Sequence, residues 1–324
     1  MSYLGHPLLS AALIMMTFTM VSAVCGVRGP STVDTGGNNS NSSTNSSTNN
    51  STDDRADAFE FSESIGGLHR IVGGEDAGAL EFPWQISLRR QVPFLDIDRG
   101  HTCGGSIVNE QFVVTAAHCV DEPLAIPASY AVVVGDQNIN KKDSTEDRIG
   151  VLYFRQHPKW DRTTLNHDYA VIRLTRPLNF TGKHKRLMPI CLPEKDQSFD
   201  GETCTASGWG LTKDRTEGGS QLPAQLQKVD LPIVPYNVCR EDYKAVNVVH
   251  EDTMICAGPE EGGKAVCQGD SGGPLQCARA DGHYVLAGAT SWGTTCAAPK
   301  QPGVFSKIAT QVDWIRNVTR IKEE

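Results

Sequence analysis

At 324 residues, 39% of them hydrophobic and 21% charged, the chain is long enough and apolar enough to bury a sizeable core. A formal net charge of −8 and the lack of any basic run argue against nucleic-acid binding. Taken in order, Leu8 to Val21 is an apolar run ending in Val21-Ser22-Ala23, the small-residue pattern of a signal-peptidase site. The run is short for a bilayer span, so residues 1–23 read as a signal peptide rather than a retained anchor, and the protein as secreted and extracellular. Asn38 to Thr52 is almost wholly Asn, Ser and Thr, too polar to bury anything, and reads as a disordered spacer. It carries overlapping glycosylation sequons at Asn38, Asn41, Asn45, Asn49 and Asn50, with two more sequons downstream at Asn179 and Asn317.

From Ile71 onward the texture changes to short apolar runs broken by turns. Trp84 to Leu88, Gly105 to Val108, Tyr130 to Val134, Tyr169 to Leu174, Val285 to Ala289 and Gly303 to Ile308 read as strands. Many strands at this spacing, with almost no helical periodicity, indicate an all-β barrel or sandwich. The exception is Gln311 to Ile321, where Val312, Ile315, Val318 and Ile321 recur at helical spacing and predict a terminal amphipathic helix. Ten cysteines, none in a CxxC pair, fit a disulfide framework in an oxidising compartment; their spacing alone leaves the connectivity open.

The chemistry concentrates at Gly269-Asp270-Ser271-Gly272-Gly273-Pro274. One hydroxyl nucleophile sits in a glycine-rich turn whose backbone N–H groups are uncovered, as acyl transfer requires. Upstream lie Thr115-Ala116-Ala117-His118-Cys119 and Asn166-His167-Asp168-Tyr169-Ala170-Val171, which supply a candidate base and an orienting carboxylate. Singly, each could be structural; His167 reads as a surface or packing residue. The order His118, Asp168, Ser271 resembles that of the chymotrypsin-like (trypsin superfamily) serine proteases, made as secreted zymogens. The resemblance runs from about Ile71 to the C-terminus.

That resemblance implies two six-stranded antiparallel β-barrels with a C-terminal helix, the active site lying between the barrels. Residues 24–70 would be a propeptide and 71–324 the peptidase domain. Ser271 would be the nucleophile, His118 its general base and Asp168 the group that sets the imidazole tautomer; the N–H groups of Gly269 and Ser271 would form the oxyanion hole. Cleavage after Arg70 would free the amino group of Ile71 to pair with Asp270 and order the site. The implied disulfides are Cys103–Cys119, Cys204–Cys277, Cys239–Cys256 and Cys267–Cys296, with Cys25 and Cys191 tying the propeptide to the domain. The substrate segment would comprise Ala265, Val266, Gln268, Ser291, Trp292, Gly293 and Gly303.

Trypsin-like members have Asp at the pocket position that Ala265 occupies here. A Lys or Arg side chain would be buried there without a partner, an expensive state. The expectation is cleavage after large apolar or aromatic residues, with an elastase-like preference, or a non-catalytic binding role, as alternatives. An enzyme that rejects Arg cannot activate itself, so a trypsin-like activating protease is implied, besides protein or peptide substrates and protein inhibitors. Neither a nucleic-acid partner nor stable membrane association is expected. Asp136, Asn138, Asp143 and Glu146 fall in a loop resembling the calcium loop of trypsin, a possible structural calcium site; no cofactor is required.

Overall fold

The computed structural model describes residues 24–31 and 71–321, apart from Asp96, Leu124 and Ser220. The signal segment, the Asn/Ser/Thr tract with its sequons, and Arg70 lie outside the described residues. After a two-residue β1 (Glu75–Asp76), six strands close into a first barrel: β2 (Gln85–Val92), β3 (Ile97–Ile107), β4 (Phe112–Thr115), β5 (Tyr130–Val134), β6 (Asp147–Gln156) and β7 (Ala170–Leu174). A second barrel closes from β8 (Thr203–Gly208), β9 (Gln227–Val234), β10 (Met254–Ala257), β11 (Pro274–Ala278), β12 (Tyr284–Trp292) and β13 (Gly303–Lys307). All neighbours pair antiparallel, and β1 joins the second barrel along β9.

The strands form where β-branched residues can pack on both faces. Tyr130 to Val134 is the extreme case, every side chain buried. Each barrel has its own apolar centre, one around Ile86, Val113 and Ile172, the other around Leu231, Leu275 and Phe305. Polar side chains stitch the two together. Trp84 Nε1 donates to Gln276 Oε1 at 2.6 Å, Gln276 Nε2 to Ser207 Oγ at 3.1 Å, and Ser207 Oγ to Gln85 Oε1 at 2.8 Å. Because each buried group in that chain has a partner, it fixes the barrel–barrel contact instead of weakening it.

The terminal helix forms as α2 (Val312–Thr319), shorter than its apolar pattern because Arg320 turns left-handed at φ 58° and ends it. It buries Val312 and Ile315, and Trp314 meets the His157 ring edge-on at 4.9 Å. A second helix, α1 (Tyr236–Tyr243), was not expected from the pattern: it buries only Cys239 and Tyr243, too few apolar positions to show a stripe. All five implied disulfides are formed, including Cys25–Cys191.

Candidate active site

His118 stands in a single 3-10 turn (Ala117–Val120) directly after β4, and Asp168 stands two residues before β7. Strands β4 and β7 are paired through Thr115 and Ala170, so the ladder itself brings the two side chains together. His118 Nδ1 lies 2.7 Å from Asp168 Oδ2, and the His118 backbone N–H donates to Asp168 Oδ1 at 2.9 Å. Both carboxylate oxygens are therefore aimed at one residue. Burial pulls the His118 pKa down, but the charge and hydrogen bond of Asp168, with help from Asp121, leave it above the ordinary imidazole value.

Ser271 comes from the other barrel, in the turn before β11. Its carbonyl accepts from Gly104 N in β3 at 2.7 Å, and Gly272 N donates to Thr290 O at 2.7 Å. Gly272 has φ +73°, and a Cβ there would stand 2.1 Å from Thr115 Oγ1. Only glycine lets the turn that carries Ser271 press this close to the segment that carries His118. No hydrogen bond joins Ser271 to His118 among the described residues. The N–H groups of Gly269 and Ser271 make no backbone hydrogen bond among the described residues, whereas those of Asp270, Gly272 and Gly273 do.

Beside Ser271 lies a cavity of about 270 Å³ lined by Ala265, Val266, Gln268, Ser291, Trp292, Gly293 and Gly303, among others. All the expected substrate-segment residues thus share one space. None of the residues lining it is Asp or Glu. A Cβ at Gly293 would meet nothing within 4 Å, while one at Gly303 would approach Val266 Cγ2 at 3.0 Å. The rim is cross-linked: Cys267–Cys296 closes one side, and Gln301 Oε1 accepts from Thr294 Oγ1 and, at 3.0 Å, from Thr295 N.

Four contributors were not legible as such. Ser291 sits at a β-bulge between Thr290 and Trp292, and its hydroxyl donates to Asp168 Oδ2 at 2.5 Å. Ser306 Oγ donates to Asp168 O at 2.7 Å. Tyr169 is fully buried; its hydroxyl lies 2.8 Å from Thr253 O and 2.9 Å from Lys307 O, across the barrel interface. His101 joins Ser87 Oγ at 2.8 Å to Gly269 O at 2.9 Å, bracing the turn ahead of Ser271. His167 is a packing residue, stacked on His157 at 4.8 Å with φ 55°.

Asp270 is fully buried. Its carboxylate accepts from Gly210 N at 2.7 Å and Cys267 N at 2.9 Å, and no cation pairs with it among the described residues. Burial outweighs those two hydrogen bonds and raises its pKa to about 6. Ile71 is also fully buried, and in the turn that follows it Val72 O accepts from Ala265 N at 3.2 Å.

The acidic loop is closed by protein groups. Asp136 Oδ2 accepts from Arg89 at 2.9 Å, Asp143 Oδ2 takes the Gln137 and Asn138 N–H groups at 2.7 and 2.9 Å, and Glu146 takes Asp143 N at 3.2 Å. Asn138 Oδ1 accepts from Asn140 N at 3.0 Å. A guanidinium and four N–H donors thus take one oxygen from each of these residues, while Asp136 Oδ1 is buried with no hydrogen-bond partner among the described residues.

The comparisons with known proteins agree with this geometry. The family profile described as Trypsin matches residues 71–315. The chain is 40% identical over 247 residues to Trypsin-1 of Astacus astacus, covering 76% of this chain and 98% of that one. It is 39% identical over 250 residues to serine proteinase stubble of Drosophila melanogaster, and 38% identical over 251 residues to transmembrane protease serine 9 of Rattus norvegicus. Those matches cover 76% and 77% of this chain but span only 30% and 22% of the two longer relatives.

Proposed function

The chain belongs to the trypsin family of serine proteases, and from that membership we propose a secreted endopeptidase that cuts after large apolar or aromatic residues. In this reading His118, Asp168 and Ser271 form the catalytic triad. His118 Nε2 takes the Ser271 proton as Oγ attacks the scissile carbonyl, then returns it to the leaving amine. Asp168 stabilises the imidazolium through the 2.7 Å bond already present. The free N–H groups of Gly269 and Ser271 receive the oxyanion; losing one such donor costs about 3–4 kcal/mol of transition-state stabilisation.

The observation that carries the specificity is the pocket: Ala265 at its floor position and no carboxylate among its lining residues. An apolar side chain loses nothing by entering, whereas a buried guanidinium would find no counter-charge. It follows that the bond after Arg70 is cut by a different, trypsin-like protease. The new Ile71 amino group would then supply the cation that Asp270 lacks. With Cys25 bonded to Cys191, the cleaved propeptide would stay attached as a light chain. Among the described residues no helix is long and apolar enough to cross a membrane, and secretion rests on the signal pattern of residues 1–23.

The test uses trypsin-activated protein, its Ile71 terminus verified by sequencing, against peptide amides ending in Phe, Leu, Met, Ala, Val and Arg. Turnover on Phe, Leu or Met that vanishes in Ser271→Ala is the expected result. Preference for Ala or Val would replace the open pocket with an elastase-like one, and cleavage after Arg would refute the apolar pocket. Calcium in the 136–146 loop would draw on Asp136, whose Oδ1 is buried without a partner among the described residues while Oδ2 is held by Arg89. A calcium-dependent rise in melting temperature, absent in Asp136→Asn, is the measurement that decides it.

A further inference from the structure

Residues 24–31 belong to neither barrel, yet they are bonded along their length. Gly26 N donates to Pro189 O at 2.8 Å, Gly26 O accepts from Tyr284 N at 2.8 Å, and Gly29 N donates to Glu81 O at 2.9 Å. Two glycines permit this approach. A Cβ at Gly26, where φ is +70°, would meet Tyr284 O at 2.3 Å, and one at Gly29 would meet Leu80 O at 2.3 Å.

Between the glycines, Arg28 enters a built site. Its Nη1 donates to the Tyr284 hydroxyl at 2.8 Å and its Nη2 pairs with Glu81 Oε1. The guanidinium carbon lies 5.2 Å from the Phe82 ring centre and 5.6 Å from that of Tyr284. Glu81 is fully buried; Oε2 takes Gly78 N at 2.6 Å and Oε1 takes Lys228 Nζ at 2.7 Å. Lys228 also reaches Glu75 of β1 at 3.3 Å, four residues beyond Ile71. A desolvated carboxylate, two aromatic faces and a hydroxyl converging on one guanidinium bind far better than a surface ion pair does. A disulfide at Cys25 would hold one end of the segment without requiring any of this.

We propose that Glu81, Phe82 and Tyr284 form an arginine-binding site for the chain's own N-terminal segment. The ligand is an extended peptide of the form Gly-Val-Arg-Gly. The site seats residues 26–29 independently of the Cys25–Cys191 disulfide and braces β1 through Lys228. Retention of this segment after activation rests on the cleavage at Arg70 argued above; the seating itself does not. In the activated form the light chain would therefore be part of the folded charge network rather than a tethered remnant.

The test is hydrogen exchange, read by mass spectrometry, on the uncleaved full chain, so it does not depend on the activation reading. The disulfide-free variant Cys25→Ser/Cys191→Ser is compared with the same variant carrying Arg28→Ala. Slow exchange over residues 26–29 is expected to survive loss of the disulfide and to speed up about tenfold or more when Arg28 is also removed. Arg28→Lys should fall between, because an ammonium keeps the charge but loses the fork and the stacking. Equal exchange with and without Arg28, whether slow or fast, overturns the proposal. Should the disulfide-free chain fail to fold, Arg28→Ala in the disulfide-intact chain gives the same comparison. Faster exchange at Gly29 supports the site, and unchanged exchange overturns it.

Discussion

The two barrels share a strand plan but treat buried carboxylates in opposite ways. In the first, Asp168 faces His118, Asp136 faces Arg89, and Asp147 accepts from Arg176, Lys183 and His184. In the second, no cation pairs with Asp270 or Asp214 among the described residues. Asp270 is held by two backbone N–H groups, and Asp214 by Thr216 and Cys296, whose hydrogen bonds lower its pKa to about 2. A carboxylate closed by a cation is a finished part of the fold. One held only by N–H groups, deep in the protein and with its pKa raised, can still gain from a cation that arrives later. Asp168 and Asp147 of the first barrel are therefore closed by cations as built, while on the activation proposed above Asp270 of the second would be the group that a new amino terminus switches.

The largest test of this contrast strikes the finished side. Asp168→Asn should leave the fold intact and lower turnover by about 10⁴, because the wrong imidazole tautomer faces Ser271; steady-state kinetics on the activated protein would show it. Next comes the switch. Asp270→Asn in cleaved protein should lose about 3–5 kcal/mol of the ion pair's support for the active form, seen as loss of active-site titre without loss of the Ile71 terminus. In the uncleaved chain the same residue makes a pH prediction of definite sign. Its folded pKa is about 6 against 3.8 unfolded, so its stabilising contribution is full below about pH 3.8 and is lost as pH rises through about 6. Melting temperatures of wild type and Asp270→Asn should diverge across that window, the wild type losing stability with rising pH where the variant does not.

The smallest effect sharpens the contrast at the point where the barrels meet. Ser291→Ala removes a second-barrel hydroxyl from Asp168 and should cost about 10- to 100-fold in kcat/KM, the value of one hydrogen bond to a charged group. The acid limb of the pH–rate profile reports His118. Activity should fall as pH drops through a value above the ordinary imidazole pKa, and Ser291→Ala should move that limb upward by leaving more charge on Asp168. A limb at or below the ordinary value would refute the coupling.

What could be read in advance was what is written locally. The turn at Gly269 to Pro274, the apolar run Tyr130 to Val134 and the terminal helix each announce themselves within a few residues, through glycine content or periodicity. The unexpected contributors act over long separations. Ser291 reaches Asp168 across 123 positions, Ser306 across 138, and His101 reaches Gly269 across 168. A serine at the end of a strand carries no local mark of which carboxylate it will meet. Nothing beside Tyr169 in the sequence points to Thr253 or Lys307.

Residue type and spacing alone carry the chemical inventory: a serine in a glycine turn, a histidine and an aspartate ahead of it, ten cysteines, and an Ala six residues before that serine. Those are properties of residue type and spacing, and they survive without coordinates. Which polar atoms face one another follows from the closed fold and not from residue spacing. Closing two barrels against each other sets Asp168 between His118 and Ser291, leaves Asp270 buried with no cation among the described residues, and sets Arg28 on Glu81. Burial gives each of those pairings its strength, because a charge removed from water depends on the few groups the fold places beside it.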